Sequence, residues 1–176
     1  MFVDTVSNAV PLPPINLFPA GYKPSVPARE TLRSLDVVNH DQLVEWCSDR
    51  AKSLQKSPPS YAKHLTLDEI LAVLVYTFDL GPLHREANVY FRLNKTLRDR
   101  DPNELLKWRD FVFFLMRGLQ KLPNAAPRRV FRGIDVKVDL QGKYADGQRV
   151  SWNAFTSTSM ERSVAEKFLT MNKAGT

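Results

Sequence analysis

Two short stretches late in the chain carry residue types suited to holding an anion and a sugar together. The first is Val130-Phe131-Arg132-Gly133-Ile134-Asp135; the second, about two dozen residues on, is Trp152-Asn153-Ala154-Phe155-Thr156-Ser157-Thr158-Ser159. An Arg presents a planar fork of donors that matches phosphate oxygens, and Ser and Thr hydroxyls both donate and accept, which suits a ribose. Gly133 beside Arg132 has no Cβ, so a ligand can come against the main chain there. Each half has a plainer explanation: Arg132 as a structural cation paired with Asp135 or Asp139, and Ser157 to Ser159 as an ordinary β-rich edge. The other reactive side chains point to no second chemistry. His40, His64 and His84 are scattered, with no Cys or carboxylate at metal-ligand spacing, so no metal site is expected. Cys47, the single cysteine, cannot form an internal disulfide and falls among apolar positions of a helical pattern, which makes it a core residue rather than a nucleophile.

The elements that must position these stretches follow from periodicity. Leu43, Trp46, Cys47, Ala51 and Leu54 recur at helical steps behind an Asn39 cap, until Pro58-Pro59 ends the run. Thr66 and Glu69 form a capping-box pair ahead of the apolar stripe Leu67, Ile70, Leu71, Leu74, Val75 and Phe78, and Gly81-Pro82 is a stop signal. A third helix carries Ala87, Tyr90, Phe91, Asn94 and Leu97. The next opens with Asp101-Pro102-Asn103-Glu104 and buries Leu105, Trp108, Val112, Leu115, Met116 and Leu119 before Pro123. After Pro127 the period changes to two. Val130, Arg132 and Ile134 alternate with Phe131 and Gly133, Val136, Val138 and Leu140 continue an alternation that fits either a strand or a short helix, and Asp146-Gly147 marks a turn before a last strand pair around Val150 to Ser159. Val164, Ala165 and Phe168 then suggest a short closing helix. The expected class is α+β, a helical N-terminal half followed by a strand-rich half.

Composition bounds the rest. With 176 residues, 43% apolar and 25% charged, the chain can bury one core and is too short for two ordinary ones. No run approaches the apolar length of a membrane span, and Met1-Phe2-Val3-Asp4-Thr5 lacks the basic start of a secretory signal, so the expected location is the cytoplasm. The net charge of +6 is spread among Asp and Glu rather than gathered into tracts, which argues against a nucleic-acid-binding domain. Six of the twelve prolines precede Arg29, so residues 1–38 read as an extended arm: a tail, a strap packed through Ile15, Leu17, Phe18 and Tyr22, or a ligand for a Pro-recognising partner.

In this order the two late stretches resemble the arginine-specific mono-ADP-ribosyltransferases, whose site is an R-S-E triplet. Arg132 stands where the family has the Arg of its [FY]-R-G strand, and Ser157 opens the S-T-S strand behind an aromatic-Thr pair. Leu65-Thr66-Leu67-Asp68-Glu69, Val75-Tyr76-Thr77, Leu93-Asn94-Lys95-Thr96-Leu97-Arg98 and Leu119-Gln120-Lys121-Leu122-Pro123 look like the family's helical first half, so the resemblance runs from about Leu65 to the C-terminus. It implies a partial transferase domain over 39–176, with a helical half at 39–123 and, from 128, the start of an NAD-binding sheet. NAD is then the substrate, a protein arginine the acceptor and nicotinamide the leaving group. Arg132 would grip the phosphates, the Gly133 backbone would lie against the nicotinamide amide, and Ser157 would bond the nicotinamide ribose and position the catalytic Glu, with Thr158 and Ser159 also in the NAD-binding set. Poly-ADP-ribose polymerases are a poorer match, because they replace the Arg and Ser by His and Tyr. The family's catalytic Glu belongs to an E-x-E or Q-x-E pair several dozen residues beyond S-T-S, and no such pair occurs in these 176 residues. Glu161 and Glu166 lie too close to S-T-S to replace it. The expectation is therefore a chain cut off before that pair and inactive by itself, the alternatives being an inactive NAD-binding or protein-interaction module on the same scaffold and, second, a basic nucleic-acid-binding domain.

Overall fold

The computed structural model describes residues 17–35, 40–133 and 154–171. They fall in two units, one spanning Ile15–Asn124 and another that includes 125–133 and 154–171.

The first unit is helical throughout. Its helices are α1 (Ala28–Ser34), α2 (His40–Lys56), α3 (Leu67–Thr77), α4 (Val89–Asp99) and α5 (Pro102–Lys121), with single 3₁₀ segments at Ser60–Ala62 and Pro82–Ala87. α3 is the central helix, packed against α1, α2, α4 and α5. It starts where its residues dictate. The Thr66 hydroxyl accepts from the Glu69 N–H at 3.3 Å while Glu69 Oε2 accepts from the Thr66 N–H at 2.8 Å, which satisfies two amides that a helix start otherwise leaves open. α5 begins with Asp101 accepting from the Asn103 N–H at 2.9 Å and Pro102 in the first turn, where a missing N–H costs nothing. The core is built from Leu32, Val44, Cys47, Val75, Val89, Leu93, Phe111 and Leu115. α3 and α5 approach closely at Gly118: a Cβ there would stand 3.2 Å from the Glu69 carbonyl oxygen and 3.2 Å from Val73 Cγ2.

Residues 17–27 are strapped onto α5. Tyr22 donates its hydroxyl to Asp110 Oδ1, and the Ser25 N–H and Oγ donate to Asp110 Oδ2 at 3.3 and 3.0 Å. Arg109 lies over the Tyr22 ring, 4.7 Å from its centroid, and Phe18, Tyr22 and Phe113 meet in tilted and edge-to-face pairs. α1 follows directly. Pro27 gives it no side-chain cap, and Asp68 of α3 accepts from the Ala28 N–H at 3.0 Å instead.

The second unit corrects the expected class. Among the described residues it contains no strand, only one antiparallel bridge between Phe131 and Ser159 and the helix α6 (Arg162–Met171). An α+β chain with a strand-rich half is therefore not what the described residues form. Alternation marks an extended backbone, but a strand exists only where a partner supplies a run of hydrogen bonds, and here the exchange is limited to one residue pair. The alternation at Val136, Val138 and Leu140, the Asp146-Gly147 turn, Asp135, Asp139 and the segment from Val150 to Asn153 lie outside the described residues, as do the Asn39 cap and Ile15. Three helical expectations also shift: Leu119, expected to be buried by α5, is exposed. Trp46 is 57% exposed, with its ring edge-on to Phe78 at 5.2 Å, and Phe78 itself lies just past the end of α3 with an extended backbone.

Candidate functional site

The bridge joins the two late stretches. The Phe131 N–H donates to the Ser159 carbonyl at 2.7 Å, and the Ser159 N–H donates to the Phe131 carbonyl at 2.9 Å. Because the pair is antiparallel, Arg132 and Thr158 are the next residues to one side of it, and Gly133 and Ser157 the ones after. Residues separated by about two dozen positions thus become neighbours. Arg132 and Gly133 are half-buried, Ser157 and Thr158 exposed, and Ser159 half-buried. Arg132 Nε and Nη1 are shielded from solvent. A phosphate reaching those nitrogens would bond them more strongly than in water, since a low local dielectric strengthens charge-assisted hydrogen bonds.

On the far side of the bridge Arg128 Nη1 donates to Met160 Sδ at 2.9 Å and Arg128 Nε to the Ala126 carbonyl at 3.2 Å. This tie between the two segments gave no signal in the sequence, because a thioether is not an obvious partner for a guanidinium. Ser159 Oγ accepts from the Glu161 N–H at 3.0 Å, and the Glu161 carbonyl accepts from the Val164 N–H at 3.2 Å as α6 begins. A hydroxyl just ahead of the helical run Val164, Ala165 and Phe168 was the available clue to that junction. Glu161 and Glu166 are both exposed, and Glu166 pairs with Arg162 at 2.8 Å on the surface of α6.

A family model described as NAD:arginine ADP-ribosyltransferase matches residues 25–172. The chain belongs to that family. The match takes in both the helical unit and the bridged pair, so membership in the ADP-ribosyltransferase family extends further toward the N-terminus than the motifs alone reach. The chain is similar to the NAD(+)--protein-arginine ADP-ribosyltransferase Tre1 of Pseudomonas putida (strain GB-1), at 28% identity over 161 residues that cover 91% of this chain and 31% of that protein. It thus spans about a third of the length of that curated relative. No solved structure matches. The family's substrate is NAD. Among the described residues no group of His, Cys, Asp and Glu is arranged to hold a metal ion, and no helix is long and apolar enough to cross a membrane.

Proposed function

We propose that this chain binds NAD as part of a protein that transfers ADP-ribose to arginine side chains of a protein acceptor and releases nicotinamide. The observation that carries the reading is the Phe131–Ser159 bridge, which sets an arginine and a Gly beside two exposed hydroxyls within the family match. The donor set fits the substrate. Arg132 grips the pyrophosphate, the Gly133 main chain lies against the nicotinamide amide, and Ser157 and Thr158 face the nicotinamide ribose. Transfer breaks the bond between the nicotinamide nitrogen and the ribose carbon and forms one from that carbon to an acceptor guanidine nitrogen, which gives up a proton. Positive charge grows on the sugar as the bond breaks, and a carboxylate must face it. No E-x-E or Q-x-E pair lies within these 176 residues, so the part assigned to this chain is the grip on NAD.

Titration calorimetry tests that assignment. Arg132→Lys keeps the charge and loses the two-pronged geometry, so NAD affinity should fall about tenfold with melting unchanged. Equal affinity in the two proteins would remove Arg132 from the site.

A further inference from the structure

The three hydroxyls of the S-T-S segment are not in the same situation. Ser157 and Thr158 are exposed, whereas Ser159 is half-buried and bonded in three places. Its N–H and carbonyl are both engaged with Phe131, at 2.9 and 2.7 Å. Its Oγ accepts the Glu161 N–H at 3.0 Å, the local turn that Ser and Thr make with an amide two residues on. Glu161 in turn takes the Val164 N–H at 3.2 Å and so opens α6. One residue therefore ends the bridged segment and starts the helix, and its side-chain oxygen is directed along the chain toward α6.

We propose that Ser159 is a positioning residue for the NAD site: its hydroxyl fixes the turn into α6, and through that turn the direction in which Ser157 and Thr158 leave the bridge, without contacting the dinucleotide. Among the described residues the bridge is a single pair, and between these two stretches no ladder continues from it to Thr158 and Ser157. A lone pair of backbone bonds leaves rotation about the bridged residue poorly restrained. The Ser159 Oγ bond supplies a restraint from the other end, and the Arg128–Met160 contact lies on the same side.

This proposal rests on the NAD reading, and a pair of substitutions separates the two. Ser159→Ala removes the acceptor; Ser159→Asn keeps one, because an Asn side-chain oxygen makes the same turn with an amide two residues on, but places its atoms differently toward any ligand. Hydrogen exchange at the Glu161 amide and NAD titration are measured on both variants of the whole chain. Ser159→Ala should speed that exchange and weaken NAD binding, each by about fivefold, the effect of one neutral hydrogen bond, while Ser159→Asn should bring both back to within about twofold of the wild type. Weakened NAD binding in both variants with unchanged Glu161 exchange would mean that the hydroxyl touches the ligand, and would overturn the proposal alone. A wild-type chain that does not bind NAD would overturn the site reading and the proposal with it.

Discussion

Cys47 has no exposed surface on the inner side of α2, and removal from water pushes its thiol pKa up to about 11 from an ordinary 9.0. The neutral thiol is the form the folded chain favours. The folded state thus keeps the proton through a pH range in which the unfolded chain has lost it, and the contribution to stability is full below pH 9 and is lost as pH rises toward 11. Tyr76 shifts in the same direction, raised by burial and partly offset by its hydrogen bond from Asn94 and by the charge of Arg98. The urea midpoint should therefore fall between pH 9 and 11, and fall less steeply in Cys47→Ala; parallel slopes in the two proteins would show that the thiol is not responsible. The core position of Cys47 was legible because it recurs with Leu43 and Ala51 at helical steps. Trp46 was not. Adjacent helical residues differ by about 100° in direction, and the buried side of α2 turns toward Val44 and Ser48, which leaves Trp46 outside. The polar Ser48 disguised that rotation; its hydroxyl donates to the Val44 carbonyl at 2.5 Å inside the helix.

Helix ends were legible wherever the signal was local. The Thr66–Glu69 box and the Asp101-Pro102 start both use residues within three positions of one another, so the sequence contains the whole interaction. Glu69 also has a second role that no local pattern reveals. It is 3% exposed, and both its carboxylate oxygens accept from Lys121 Nζ at 2.7 Å, with Arg117 Nε 3.9 Å away. One carboxylate caps α3 and ties it to the last turn of α5. Glu69→Ala removes the cap and leaves Lys121 without this partner, and chemical denaturation should register a loss of about 2–3 kcal/mol. A loss no greater than that of Thr66→Ala would show that the link to α5 adds nothing. The strand-rich half failed as an expectation for the opposite reason to the caps. Val130, Phe131 and the hydroxyl run carry β propensity, yet propensity does not name a partner, and only Phe131 and Ser159 exchange bonds among the described residues. The same bridge explains why the candidate residues were marked by motif and not by geometry: Arg132, Gly133 and Ser157 to Ser159 are picked out by residue type and order, whereas the Arg128–Met160 contact depends on which segments meet across the gap.

At the scale of the helical unit, α1 was the element the sequence hid. It is seven residues long and lies within the stretch 1–38, behind Pro24 and Pro27, and neither a side-chain cap nor a long apolar stripe announces it. Its stability is borrowed. The Ala28 amide is satisfied by Asp68, 40 positions later, and the strap before it by Asp110, 85 to 88 positions later. Such distant loops must close before any contact repays the entropy of ordering them. Synthesis runs from the N- to the C-terminus, so the strap and α1 leave the ribosome before their anchors, and α3 must emerge to receive α1 and α5 to receive the strap. Chymotrypsin cleavage after Tyr22 should accordingly stay fast in stalled nascent chains until Asp110 is outside the tunnel, and then slow sharply; protection in shorter chains would mean that the strap folds without its anchor. Until that moment the strap is open to capture by chaperones and proteases, and the order of translation, rather than the strength of any single bond, sets how long that exposure lasts.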